Sequence, residues 1–115
     1  APRDVGYVNA HATSTPAGDL AEAWALTLAG LGEAPVSSTK GAHGHALGAS
    51  GATEAAVAVL ALHRGMLPPT RNLEDPEPDP PLRHLPRAER GAIAAALSNS
   101  FGFGGHNACL VFTSG

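Results

Sequence analysis

Three segments of this 115-residue chain concentrate side chains that can do chemistry. The first, Asn9-Ala10-His11-Ala12-Thr13-Ser14-Thr15, sets an imidazole among hydroxyls. The second runs from Ser38-Thr39-Lys40 through Gly44-His45 and Gly48 to Glu54. The third is Asn99-Ser100-Phe101-Gly102-Phe103-Gly104-Gly105, followed by Asn107. Imidazole and ammonium groups carried on loops are suited to acid–base and oxyanion chemistry. Competing readings exist for each. His43 with His45 could hold a metal, but no convincing third and fourth ligand accompanies them. A structural cation held by loop carbonyls near Glu54 stays open. The turn Gly102-Phe103-Gly104-Gly105 lacks the Lys and the following helix of a phosphate-binding P-loop. Lys40 and Glu54 could be an ordinary ion pair, Phe101 and Phe103 plain core, and Thr13 and Thr15 caps for the helix around Asp19.

The elements that must position these groups are short. Val5 to Ala10 (VGYVNA) is β-rich and reads as a buried strand. His11 to Gly18 is a loop, and Gly18-Asp19 opens a helix that Asp19 can cap. Leu20, Ala23, Trp24 and Leu28 recur at helical spacing, and Gly30 and Gly32 end that helix. Val36 to Thr39 reads as a second strand and Lys40 to Gly51 as a glycine-rich loop. Ser50 or Thr53 caps a helix running to about His63 or Arg64, with Gly65 as its end. Thr70 to Arg90 is a surface connection rich in Pro and charge. Ala92 to Ser98 and Asn107 to Thr113 read as two strands around a tight turn over Asn99 to His106. The pattern is α/β, closing on an antiparallel hairpin. The second helix is apolar almost all round from Ala55 to Leu62. It therefore needs cover on every side, more than four short strands and one other helix can give.

Composition excludes several classes. With 43% hydrophobic and 15% charged residues, the chain is not of the disordered type. A formal charge of -3 offers no basic footprint for nucleic acid or anionic lipid. The longest apolar run, Ala55 to Leu62, is far short of the roughly 18 residues of a membrane span. The one cysteine, Cys109, cannot form an internal disulfide, and its apolar flanks (NACLVF) suggest core. Ala1 stands first and an apolar stretch follows almost at once, so a fragment, a processed product or an excised domain is expected.

The three segments, in this order and at these separations, resemble the C-terminal core of the β-ketoacyl synthases of the thiolase-like superfamily. The resemblance runs from Val8 to about Phe112. The GFGGHN run and the Leu-Glu-Asp-Pro connection look most like bacterial fatty-acid or aromatic-polyketide synthases. It implies the C-terminal part of a thiolase-like fold, a mixed sheet with packed helices, incomplete without an N-terminal half, with residues 1–115 forming one C-terminal ketosynthase domain.

The resemblance also implies roles. His11 and His45 match the two active-site histidines, whose N–H groups stabilise the enolate formed when a malonyl thioester loses CO2. Lys40 matches the lysine that orients the pair, and Glu54 its acidic partner. Phe103 matches the residue whose backbone N–H completes the acyl oxyanion hole and whose ring gates the tunnel. Thr13 and Thr15 match hydroxyls that bind the pantetheine arm of acyl carrier protein. Asn9 and Asn99 are expected to hold their loops by hydrogen bonds to backbone. Ala12 departs from the Gly usual after the first histidine, and His43 occupies a variable position. The family nucleophile is a Cys in the preceding half, and Cys109 matches no such position.

The implied activity is decarboxylative condensation in fatty acid or polyketide synthesis, by a cytoplasmic acyltransferase that is a dimer when complete. No cofactor is implied, since phosphopantetheine arrives on the carrier as substrate. This chain alone is expected to be inactive. The alternatives are a non-catalytic partner like a chain-length factor, or a truncated remnant.

Overall fold

In a computed structural model, residues 1–115 form a five-stranded mixed sheet with one long helix on each face. The strands are β1 (Val5–Asn9), β2 (Pro35–Ser37), β4 (Arg83–His84), β6 (Ala95–Gly102) and β7 (His106–Thr113). Their order is β4-β2-β1-β6-β7. The first four run parallel to their neighbours, and only β7 is antiparallel, pairing with β6 from Ala95↔Thr113 to Gly102↔His106. A small separate ribbon pairs β3 (Met66–Leu67) with β5 (Glu89–Arg90). The helices are α1 (Pro16–Leu28), a single turn α2 (Lys40–His43) and α3 (Ser50–Arg64).

Side-chain alternation along β1 and β6 divides the core in two. Val8 and Leu97 face α1, where they meet Leu26, Leu31 and Val36. Tyr7 and Ala96 face the other way, onto Ala58 and Ala61 of α3 with Leu67 and Leu85. Small residues at Ala58, Ala61 and Ala96 let α3 lie close to the sheet. Burial pushes the Tyr7 phenol up to about 12, and its hydroxyl lies 2.8 Å from Ser37 Oγ.

Several boundaries differ from the sequence expectation. Helix α1 begins at Pro16, with Thr15 at the N-cap. Proline at the first helical position loses no bond there and fixes φ for the helix. Asp19 sits inside the first turn and accepts from Ser14 N–H at 3.2 Å. The helix ends in a Schellman pair, Leu31 N–H to Leu26 carbonyl at 2.8 Å and Gly30 N–H to Thr27 carbonyl at 3.0 Å. Its buried face is Glu22 and Leu26, whereas Leu20, Trp24 and Leu28 are exposed. The stretch expected as one glycine-rich loop contains α2 and a 3₁₀ turn at Leu47–Ala49. The Pro-rich connection donates β4 to the sheet edge beside β2. β6 continues to Gly102, so the turn to β7 is only Phe103–Gly105. Gly104 and Gly105 there take φ of 78° and 79°, a region that L side chains rarely occupy.

Helix α3 is covered on one side only: Val59 and Leu60 are exposed. Cys109 is exposed too, on edge strand β7, so its apolar flanks did not signal core. Desolvation nonetheless pushes its thiol up. No helix is long and apolar enough to cross a membrane.

Candidate active site

The parallel strands β1, β2 and β6 end on the same side of the sheet, and ligands in such sheets bind outside the carboxyl ends of the strands. His11 follows β1, Lys40 follows β2, and Phe101 lies near the end of β6. The loops and turns that follow enclose an open cavity of about 970 Å³, lined among others by His11, Thr13, Thr15, His45, Phe101 and Phe103. The His11 and His45 rings lie 5.6 Å apart, edge to face at 86°. Phe101 packs its ring edgewise on His11 at 5.7 Å, a contact more specific than plain core.

Lys40 and Glu54 stand behind His11 and do not line the cavity. Both are buried, and Lys40 Nζ donates to Glu54 Oε1. An ordinary ion pair predicts that contact equally well. What sets this one apart is that Lys40 Nζ also reaches His11 Nδ1, at 3.4 Å. An ammonium has only donors, so His11 Nδ1 must accept and the neutral ring carries its proton on Nε2. Burial, and then the Lys40 charge, hold His11 below the usual imidazole range. The ring is therefore neutral at pH 7.

His45 reaches the same tautomer by another route. Leu47 N–H donates to His45 Nδ1 at 3.3 Å, and Ser50 Oγ lies 2.7 Å from the same nitrogen. A backbone N–H can only donate, so the ring proton of His45 also belongs on Nε2. Ser50, expected as a cap, is the first residue of α3 and spends its hydroxyl on His45 instead. Leu47 takes a positive φ of 51°, a strained conformation of the kind found at functional sites. His43 and His45 do not converge as a metal pair: His43 turns to Thr39 and Gly44.

Thr13 and Thr15 reach each other, Oγ1 to Oγ1 at 3.4 Å, and neither makes a side-chain cap bond to α1. Phe103 is wholly exposed at the tip of the β6–β7 turn. His106 also lines the cavity. Asn9 and Asn99 bond to side chains rather than to backbone. Asn9 Nδ2 donates to Thr39 Oγ1 at 3.1 Å and to Tyr7 Oη at 3.3 Å, and Asn99 Nδ2 to Glu22 Oε1 at 3.0 Å. Two buried acceptors, Asn9 Oδ1 and Glu54 Oε2, meet no donor of the chain.

Glu22 is the functional residue that sequence reasoning missed. It is buried on α1, and its carboxylate accepts from His11 N–H at 3.0 Å, Ala12 N–H at 2.9 Å and Asn99 Nδ2. It ties the His11 loop to both α1 and β6. The available signal was Asp19-x-x-Glu22, the only acidic pair in an otherwise uncharged helix. Glu22→Ala leaves three donors without an acceptor, two of them part-buried and the Asn99 amide buried. The expected cost is about 2–4 kcal/mol, with Glu22→Gln intermediate, since an amide keeps one accepting oxygen. Denaturant unfolding of the two variants measures this, and equal losses would contradict it.

Residues 1–74 match the family described as β-ketoacyl synthase, C-terminal domain. The chain is 48% identical over 120 residues to the mitochondrial 3-oxoacyl-[acyl-carrier-protein] synthase of Arabidopsis thaliana, covering 98% of this chain and 26% of that protein. Among solved structures, the ishigamide ketosynthase/chain length factor superposes with a TM-score of 0.93 at 32% identity, over 99% of this chain and 29% of that one. A type II polyketide synthase acyl-carrier protein in complex with its ketosynthase bound to the hexaketide gives 0.91 at 34% identity, over 99% and 29%. The chain thus spans about a quarter of the length of the curated relative. The fold is that of the thiolase-like ketosynthases, over a quarter to a third of their chains. On the family match and the fold together, the chain belongs to the β-ketoacyl synthase C-terminal domain family.

Proposed function

We propose that residues 1–115 are the C-terminal part of a β-ketoacyl-[acyl-carrier-protein] synthase that condenses acyl and malonyl thioesters in fatty acid or polyketide synthesis. One observation carries the reading. Two neutral imidazoles, 5.6 Å apart, each have Nδ1 engaged by a donor and so offer an Nε2 proton beside one cavity.

In this mechanism a preceding half of the protein supplies a cysteine that takes the acyl group as a thioester and releases the carrier thiol. Malonyl on acyl carrier protein then enters, its pantetheine arm held by the Thr13 and Thr15 hydroxyls. The bond to the malonyl carboxylate breaks, CO2 leaves, and the electron pair passes into the thioester carbonyl as an enolate. The Nε2 protons of His11 and His45 hydrogen-bond that oxygen. Donors already aimed at developing charge lower the barrier without reorganising. The enolate carbon attacks the acyl carbonyl, the Phe103 backbone N–H serves the resulting oxyanion, and the cysteine thiolate leaves. Lys40, held by Glu54, keeps His11 in the required tautomer. Phosphopantetheine belongs to the substrate, and the chain brings no cofactor of its own. The complete protein is a cytoplasmic dimer in this reading, and its preceding half covers Val59 and Leu60 of α3.

A partner module of the chain-length-factor kind is the second reading, since the ishigamide structure among the similar ones is of a ketosynthase/chain length factor. Retention of His11, His45 and Lys40 favours the enzyme, because such a partner need not keep the full set. The test uses the full-length protein that carries this segment, with acyl- and malonyl-loaded carrier protein. A 3-oxoacyl thioester and CO2 are expected, and the 115-residue chain alone is expected to give neither. Condensation by the isolated chain, or none by the full-length protein, would overturn the proposal.

A further inference from the structure

His43 stands two residues before His45, yet it does not line the cavity. We propose that His43 is a positioning residue for the condensing site, locking the single turn that carries Lys40 at one end and His45 just beyond the other. The inference rests on the condensing reading above and adds to it a residue that faces neither substrate nor cavity.

The atoms around a neutral His43 ring leave one arrangement of protons. Asn9 Nδ2 can only donate, so Thr39 Oγ1 accepts from it at 3.1 Å. The Thr39 hydroxyl proton is then available to His43 Nε2, at 3.0 Å. In the neutral ring Nδ1 must carry the proton to donate to the Gly44 carbonyl, so Nε2 accepts that hydroxyl proton. Nδ1 lies 2.8 Å from the Gly44 carbonyl oxygen, which can only accept. Donors and acceptors match at every step from Asn9 through Thr39 and His43 to Gly44. Both ring nitrogens are used, which leaves none for a metal or for proton transfer.

The bridge has a mechanical consequence. Thr39 and Gly44 are the two caps of α2, a helix of four residues. One turn has little stability of its own, and Thr39 makes no side-chain cap bond to it. Gly44 takes φ 81° and ψ 173°, conformations essentially restricted to glycine, so no side chain steers its peptide. The His43 N–H orients that peptide, whose far side is the His45 nitrogen. At the other end Asn9 lies two residues before His11 on β1. The chain of bonds therefore holds His11, Lys40 and His45 in one frame. Displacement of about 1 Å can cost on the order of 100-fold in rate.

The test measures malonyl decarboxylation by the full-length protein carrying His43→Ala, His43→Gln or His45→Ala. A glutamine amide offers one acceptor and one donor and can replace both ring contacts. His43→Ala is expected to lower kcat about 10-fold with KM within about two-fold of wild type. His43→Gln is expected to recover most of kcat. The ring is exposed, so melting temperatures are expected to change little. Unaltered kcat in His43→Ala overturns the proposal. So does a folded His43→Gln as slow as His43→Ala, and this arm stands even if the alanine variant fails to fold. A wild-type protein without decarboxylation, or a fully active His45→Ala, overturns the condensing reading itself, an outcome distinct from either His43 result.

Discussion

His45→Ala in the full-length protein is expected to remove malonyl decarboxylation, lowering kcat by about 10²–10³-fold, the effect of deleting one oxyanion donor. The loss should fall on kcat rather than KM, because the enolate charge exists only after the carboxylate has begun to leave. The fold should tolerate the change. His45 is exposed, and its two partners, Leu47 N–H and the Ser50 hydroxyl, both become accessible to water. Decarboxylation at the wild-type rate would remove His45 from the mechanism.

Lys40 poses a sharper question, because it serves both stability and chemistry. Its side chain is 6% exposed and that of Glu54 0%. Lys40→Met leaves a carboxylate buried without a counter-charge, and breaking such a pair from one side costs about 3–5 kcal/mol. Replacing both partners with apolar residues of similar volume is often neutral. The double variant Lys40→Met/Glu54→Leu is therefore expected to regain most of the lost stability while decarboxylation stays impaired, because nothing then donates to His11 Nδ1. Recovery of both stability and activity would reduce the pair to scaffolding. Denaturant unfolding and decarboxylation rates, measured on the same preparations, separate the two.

Much of this arrangement was legible in the amino-acid order. β1, β2, β6 and β7 carry β-favouring apolar runs between punctuating loops, and each is present within a few residues of its expected place. Gly65 ends α3 with a left-handed φ of 58°, as its position suggested. The extension of β6 through Asn99 to Gly102 was not legible. Its alternation is masked there by side chains given to the site: Asn99 serves Glu22, and Phe101 packs on His11. α2 is too short for any helical period to register. In α1 hydrophobicity pointed to the wrong face. The backbone N–H groups of His11 and Ala12 needed a buried acceptor, and that demand turned Glu22 inward and Leu28 outward, 84% exposed. The roles of His11 and His45 depended on tautomers, and a tautomer is set by neighbours brought from distant parts of the chain. Lys40 and His11 are 29 positions apart.

The lowered His11 titration has a sign that can be checked. The folded protein disfavours the charged ring, so stability from this group is full above the ordinary imidazole value. It is lost as pH falls from that value through the lowered one.

The most direct test of the central claim is nitrogen-15 NMR of the histidine side chains in the full-length protein at pH 7. Correlations from the ring carbons' protons to both nitrogens identify which one is protonated. His11 and His45 are each expected to show the Nε2–H tautomer, with His11 neutral and titrating below the usual imidazole range. An Nδ1–H tautomer at either residue, or a charged His11 at pH 7, would contradict the account.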